Sequence, residues 1–121
     1  MNKVFLVGRL ANDPTLRFIK GSGNAVSSFR LAVDRYYISQ NGERETDFIN
    51  IVCWRKQAEN VANNLIKGRL VAISGSIQTR KYKFENGPNK YVTEILANEI
   101  KFLDNLRTKQ SEENGEELFE R

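Results

Sequence analysis

The sequence contains no histidine and a single cysteine, Cys53. Without histidine the chain cannot form a Ser-His-Asp or Cys-His catalytic pair, and it lacks a common zinc ligand. A lone cysteine cannot form an internal disulfide, which fits a reducing compartment such as the cytoplasm. The phosphate-binding pattern GxxxxGK[ST] does not occur, and "KGSGN" precedes a predicted strand instead of a helix. These absences predict a protein that is not an enzyme and holds no metal or other cofactor.

Long apolar runs are also missing from the sequence. None could span a bilayer, and the start, "MNKVFLVGRL", is too short and too quickly charged for a signal peptide. We therefore expect a soluble, intracellular protein whose 121 residues bury one hydrophobic core.

Charge is distributed unevenly along the chain. Residues 1–107 hold 17 Lys and Arg against 10 Asp and Glu, whereas residues 108–121 hold 2 against 5. A basic body favours a polyanionic partner such as nucleic acid or a membrane surface, although simple solubility is the alternative. The polar C-terminal sequence predicts a folded domain over residues 1–106 and a short, acidic, disordered tail over residues 107–121.

The periodicity of apolar residues predicts five strands and one helix. The helix covers residues 56–67, where apolar residues recur every three or four positions, and it lies between the third and fourth strands. "TLRFIK" is a short edge segment, and "SQNGE" is the turn of an antiparallel hairpin. The strands are "KVFLVGRL", "AVSSFRLAV", "TDFINIVCWR", "LVAISGSI" and "YVTEILANEIKFL". This order predicts an all-β fold with one helix, an OB-fold built as a five-stranded Greek-key barrel.

Large aromatic side chains are predicted to point away from the core. In the third strand Ile49, Ile51 and Cys53 form one apolar row, which leaves Phe48 and Trp54 on the opposite face. A second packing layer or a subunit interface would explain one such ring. The pattern recurs, however, because Tyr36 and Tyr37 follow a strand beside Arg35, and Tyr82 lies among the cations of "TRKYK".

Rings interleaved with cations suit one class of ligand. Unpaired bases expose faces that stack on aromatic side chains, while Lys and Arg follow the phosphates. The pattern therefore favours single-stranded nucleic acid over a duplex or a membrane. "IQTRKYKF", which continues a strand past its core, predicts a projecting hairpin that grips the strand. The residues alone indicate four phosphate contacts, Arg30, Arg35, Arg55 and Lys83, and for each of them an ordinary solvated cation is the alternative. By contrast, Glu43, Glu45 and Asp47 are interpreted as solvated charges in a turn, not as a metal site.

Several motifs in order resemble those of the bacterial-type single-stranded DNA-binding proteins over residues 1–105. They are "NKVFLVGRLANDPTLR", "FRLAVDR", "TDFINIVCWRKQAENVANNLIKG", "LVAISGSIQTRKY" and "KYVTEI". The resemblance implies an OB-fold protomer of a homotetramer, wrapped by single-stranded DNA during replication, recombination and repair, in the cytoplasm and associated with the nucleoid. It places the stacking positions on Tyr37, Phe48, Trp54 and Tyr82, and basic DNA-contacting positions on Lys56, Lys67, Arg80 and Lys81.

The C-terminus departs from that family. Replicative members end in an acidic tip with Pro-Phe, which docks replication or repair proteins, whereas this chain ends "GEELFER" without proline. A tail-poor paralogue, a plasmid or phage version, and a chain cut before its natural end all remain open, and so does recruitment of such proteins.

Two other functions are compatible with the same pattern. An OB-fold RNA-binding or primosome accessory protein would use similar rings and cations, and a scaffold would use the rings only between subunits. We also expect the apolar first strand, "VFLVG", to leave an edge that another subunit covers.

Overall fold

The computed structural model describes residues 1–82 and 86–104, with the backbone alone at Tyr82. The predictions for Lys83, for the boundary at residue 106 and for the tail lie outside the described residues. Six strands and one helix are present in the described part: β1 (Val4–Leu10), β2 (Thr15–Phe18), β3 (Ala25–Ile38), β4 (Arg44–Trp54), α1 (Arg55–Asn64), β5 (Leu70–Tyr82) and β6 (Lys90–Phe102).

Five of the strands close into a barrel. Neighbouring strands follow the order β1-β5-β6-β4-β3, and β3 returns to β1 through the pairs Arg9–Ala32 and Leu10–Leu31. The predicted edge segment is β2, which pairs antiparallel with the first part of β3 and lies outside the closed ring. When β2 is set aside, α1 lies between the third and fourth barrel strands, so the predicted OB-fold is confirmed.

The predicted hairpin joins β3 to β4 through the Asn-Gly turn. Gly42 has a φ of +77°, a left-handed conformation that glycine adopts without steric cost. The amide of Ser39 donates to the carbonyl of Glu43 at 2.9 Å and closes the loop. The two strands pair from Val26–Trp54 to Asp34–Thr46, with a bulge between Asp34 and Ile38.

The first strand is paired along one of its two edges. Residues Val4–Arg9 pair with β5, whereas the pairs of β1 with β3 involve Arg9 and Leu10 alone. Among the described residues, one edge of Val4–Gly8 therefore lacks a strand partner. The expectation of an open apolar edge is confirmed for this edge, while the other edge of the strand is paired with β5.

The core lies inside the barrel, and α1 covers one end of it. Ala58 and Val61 of the helix and Leu65 just after it are buried against the strands. The helix ends at Asn64, three residues earlier than predicted, because Leu65 takes an extended conformation. The amide of Lys67 then donates to the Asp13 carboxylate at 2.8 Å, a contact that holds this segment against the loop after β1.

Cys53 belongs to the core, as predicted. Its side chain is fully buried, and its thiol donates to the carbonyl of Ser27 at 3.7 Å. Burial raises the pKa of the Cys53 thiol to about 11. Because the thiolate is the nucleophilic form, this thiol is inert at neutral pH.

None of the described helices is both long and apolar enough to cross a membrane.

Two glycines allow the barrel strands to approach one another closely. A Cβ at Gly8 would meet the carbonyl oxygen of Ala32 where β1 reaches β3. A Cβ at Gly75 would meet the carbonyl oxygen of Leu96, next to the register shift between Ser74 and Gly75. Both contacts are with backbone, which cannot move aside as a flexible side chain can. Neither position can therefore accept a larger residue without displacement of a strand.

We expect Gly75→Ala to lower the free energy of unfolding by about 2 kcal/mol, since overpacking against backbone forces strand displacement. Ser76→Ala, at the next position of β5, should change it by less than about 0.5 kcal/mol. Urea denaturation followed by circular dichroism measures both. Equal unfolding midpoints for the two variants would contradict the proposed steric constraint.

Candidate nucleic-acid interface

The outer face of β4 presents the rings that the sequence predicts there. Phe48 is 55 % exposed and Trp54 is 42 % exposed, whereas Ile51 and Cys53 on the alternate row are buried. Val52, which lies between the two rings on the outer row, is itself buried. The two rings are six strand residues apart, roughly 20 Å, so they cannot stack on the same base.

A cation lies against the first of these rings. Arg30 pairs with Asn50 across β3 and β4, so its side chain leaves on the same face as the Asn50 side chain and the neighbouring Phe48. The guanidinium carbon of Arg30 is 4.9 Å from the centre of the Phe48 ring, within the range of a cation–π interaction. On this face, one of the predicted cations is thus in direct contact with one of the predicted rings.

Trp54 lies where β4 turns directly into α1. The next residue, Arg55, has a φ of +60°, which is uncommon for a residue other than glycine and marks an abrupt change of direction. Trp54 helps to line a cleft of about 390 Å³ together with Arg55, Gln57 and Asn98. Arg55 and Lys56 are exposed beside the ring, while Lys67 is exposed in the segment after α1.

Arg17, which the sequence pattern did not indicate, also lies on this face. Arg17 pairs with Val26, and Val26 pairs in turn with Trp54, so the three side chains form one row across β2, β3 and β4. The signal was present in "TLRF", where Arg17 alternates with apolar neighbours, but a short edge segment gave no register to place it.

The hairpin of β5 and β6 projects beyond the core, as predicted. The ladder continues past the buried Ile95 to the pairs Lys81–Tyr91 and Tyr82–Lys90. Lys81 and Tyr91 are exposed on the same face of the hairpin. Tyr91 was not predicted as a site residue, although it lies on the same row of β6 as Ile95, four residues away. The stacking role of Tyr82 stays a prediction, because its side chain is not described.

A polar cleft separates β4 from the projecting hairpin. The parallel pairing of β4 with β6 is confined to Ile51–Ile95 and Val52–Leu96, and the strands diverge from there. The cleft measures about 270 Å³ and brings Arg30 and Asn50 together with Arg80 and Glu94. Arg80 Nε donates to Glu94 Oε1 at 3.0 Å. Two of the predicted cations, Arg30 and Arg80, which are far apart in sequence, therefore line the same cleft.

Tyr37 lies on a different face from Phe48. Its hydroxyl accepts a hydrogen bond from Arg35 Nη1 at 3.0 Å, and the same guanidinium binds Glu45 and Asp47. These carboxylates alternate with Phe48 along β4, so they leave the strand on the opposite side. Tyr37 is therefore exposed, as expected, but on the side of the hairpin opposite to Phe48.

Arg35 forms the densest polar contacts in this hairpin. Its Nε and Nη2 each donate to Asp47 at 3.0 Å, and Nη1 donates to Glu45 at 2.7 Å. The hydrogen bond to Asp47 is the main cause that raises the pKa of Arg35, and the bond from Arg35 holds the pKa of Asp47 below its usual range. Glu45 and Asp47 thus belong to β4 and hold Arg35, rather than being solvated charges of a turn.

In the described part of the chain, no group of three or more potential His, Cys, Asp or Glu ligands is close enough to hold a metal ion. The surface instead offers rings, cations and amides to a ligand.

Several bacterial proteins are similar to this chain in sequence. The chain is 50 % identical over 120 residues to a "Single-stranded DNA-binding protein" of Clostridium tetani, covering 99 % of this chain and 82 % of the relative. It is 56 % identical over 104 residues to a protein of the same name from Bacillus cereus, covering 86 % of this chain and 61 % of the relative. A third relative of that name, from Streptococcus mutans, is 49 % identical over 115 residues, 95 % of this chain and 70 % of its own length.

A family model described as "Single-strand binding protein family" matches residues 1–103, which include every described element of the barrel. With the fold, the exposed rings and the relatives in agreement, the chain belongs to the single-strand binding protein family.

Proposed function

We propose that this protein binds single-stranded DNA without sequence preference, by stacking bases on exposed rings and by phosphate contacts to Lys and Arg. The observation that carries the proposal is the Arg30 guanidinium over Phe48, on the outer face of the strand that also presents Trp54. A planar cation and exposed rings on one face match unpaired bases, whose faces are accessible, and not a duplex. The names of the relatives support this ligand.

The proposed path of the strand follows the outer face of the barrel. It passes Trp54, crosses the polar cleft beside Phe48 and reaches the projecting hairpin. In this proposal Tyr37 and Tyr82 supply further stacking surfaces. The proposed phosphate contacts are Arg30, Arg55, Lys56, Lys67, Arg80, Lys81 and Lys83.

In this proposal, tolerance of sequence follows from the kind of contact. Arg80, which lines the cleft, donates to Glu94, and the other proposed phosphate contacts that the structure describes are exposed at the surface. Stacking accepts any base, because every base has a π face. A sequence-tolerant binder that protects single strands during replication, recombination and repair, in the cytoplasm and at the nucleoid, is the role that we propose. Recruitment of replication or repair proteins through the acidic tail belongs to the same proposal.

We further propose that the protein forms a homo-oligomer, a homotetramer in line with the family resemblance. Phe5 is 76 % exposed and Val7 is 56 % exposed on β1, beside the edge that lacks a strand partner in the described structure. They line a shallow cleft of about 290 Å³ with residues of β5 and β6. A second copy of the same strand would pair with this edge and cover these side chains.

Stacking on Trp54 predicts a fluorescence change, since Trp54 is the only tryptophan. Titration with oligo-dT should quench the emission until the protein is saturated. Trp54→Ala should weaken binding by about 1–3 kcal/mol, as judged by anisotropy of a labelled oligo-dT, while Trp54→Phe should retain most of the affinity. If the emission intensity does not change at saturating oligo-dT, Trp54 has a packing role, and the scaffold alternative is favoured. A matched oligo-U bound more tightly than oligo-dT would favour the RNA-binding alternative.

A phosphate contact at Lys81 predicts a different signature. Lys81→Ala should reduce the slope of log affinity against log salt by roughly 0.7, the value for one contact with a single strand. Trp54→Ala serves as the control, because stacking releases few counterions and should leave the slope nearly unchanged. If the slope is the same in wild type and Lys81→Ala, Lys81 does not contact phosphate.

The oligomer should form without DNA. Sedimentation equilibrium at micromolar protein should give four times the protomer mass of 13.9 kDa, and Val7→Arg should lower it by placing a charge at the apolar edge. Ile66→Arg, an equally exposed apolar position after α1, is the matched control and should leave the mass unchanged. A monomeric wild-type protein would contradict the proposed assembly.

A further inference from the structure

The Tyr37 side chain is held at its hydroxyl by Arg35. Arg35 Nη1 donates to Tyr37 Oη at 3.0 Å, and the ring is still 49 % exposed. The ring is also in edge-to-face contact with Tyr36, with centroids 5.6 Å apart and planes at 86°. Tyr37 is thus fixed at two points while half of its surface stays open to a ligand.

The remaining donors of Arg35 are largely occupied by carboxylates. Two of its nitrogens bind both oxygens of Asp47, and Nη1 binds Glu45 as well as Tyr37. Four of its five N–H groups are consequently engaged. Arg35, Glu45 and Asp47 together have a net charge of −1, which repels a phosphate. This geometry favours a role for Arg35 other than the phosphate contact predicted from the sequence.

The local backbone explains why Tyr37 needs such support. The bulge between Asp34 and Ile38 removes Arg35, Tyr36 and Tyr37 from the regular ladder. Side chains in a bulge are not aimed by cross-strand neighbours in the way that ladder residues are. The bidentate bond of Arg35 Nε and Nη2 with Asp47 ties the bulge to β4 and places the remaining nitrogen, Nη1, at the Tyr37 hydroxyl.

We propose that Arg35 is a positioning residue, which holds the Tyr37 ring in the orientation that stacks on a base, and that it does not contact the DNA backbone. This inference rests on the proposed binding of single-stranded DNA. The carboxylates of Glu45 and Asp47 repel the phosphates of the ligand. In this inference they nevertheless contribute to binding, because they fix the guanidinium that orients the ring.

The test combines salt dependence with a double-mutant cycle. Binding of a labelled oligo-dT is measured by fluorescence anisotropy at several NaCl concentrations for wild type, Arg35→Gln, Tyr37→Phe, Tyr37→Ala and the double variant Arg35→Gln/Tyr37→Ala. Arg35→Gln should weaken binding about 3- to 10-fold, part of the contribution of one stacked base. Tyr37→Phe, which keeps the ring and loses the hydroxyl, should weaken it to a similar extent.

Two features separate positioning from direct contact. In the Tyr37→Ala background, Arg35→Gln should have no further effect, because there is no ring left to orient. The salt slope of Arg35→Gln should equal that of wild type. A slope reduced by roughly 0.7, or a loss of affinity that persists without the Tyr37 ring, would show phosphate contact and overturn the inference.

Arg44→Gln is the matched control. Arg44 lies in the same hairpin and donates to the backbone carbonyl of Arg35 at 3.3 Å, so its variant removes an equal charge without releasing the Tyr37 hydroxyl. It should leave affinity within 2-fold of wild type. If Arg44→Gln and Arg35→Gln lose the same amount of affinity, the loss comes from net charge, and the inference is overturned.

The folding of each variant is followed by circular dichroism and thermal denaturation. If Arg35→Gln does not fold, Tyr37→Phe decides, since it leaves the Arg35 contacts with Glu45 and Asp47 in place. Wild-type affinity in Tyr37→Phe would then overturn the inference. A wild-type protein that does not bind oligo-dT at all would instead refute the proposed function.

Discussion

Closure of five strands around one small core is the constraint on which the rest of the structure depends. A closed barrel buries one row of each strand and forces the alternate row outward. Closure also requires backbone to meet backbone at Gly8 and Gly75, where no side chain fits. The exposed row of β4, with Phe48 and Trp54, exists because its alternate row, with Ile51 and Cys53, fills the core. Core and ligand surface are therefore two consequences of one pattern.

The hairpins extend this pattern beyond the region that the core can support. Past Ile95 the β5–β6 ladder continues without a buried apolar row among the described residues, so most of its side chains are exposed. The same holds for the end of the β3–β4 hairpin, where the bulge disturbs the ladder. There, hydrogen bonds of Arg35 with Asp47 and Glu45 provide the order that apolar packing provides elsewhere.

The cations of this surface are not equivalent. Arg30 lies on an aromatic ring, Arg80 is bound to a carboxylate, and Arg35 is enclosed by two carboxylates. Lys81 and Lys56 are exposed. Exposed ammonium groups can follow a variable phosphate backbone, whereas the Arg35 guanidinium, whose partners are fixed, suits the orientation of a ring. Net charge alone conceals this division of roles.

The periodicity of apolar residues in the sequence by itself determined the order of the strands and the position of the single helix. Alternation within β4 determined the outward position of Phe48 and Trp54, because burial on one face of a strand dictates every second residue. The sequence also identified the β5–β6 hairpin, which extends beyond the core. Tertiary structure alone decided which cations have partners: Arg80 meets Glu94 across β5 and β6, and Arg35 meets Asp47 across β3 and β4. It decided as well that Tyr37 lies opposite Phe48, since a bulge shifts the register without a reliable sequence signal. Local periodicity fixes the direction of a side chain within its strand, but register and closure, which depend on residues far apart in the chain, fix what that side chain meets.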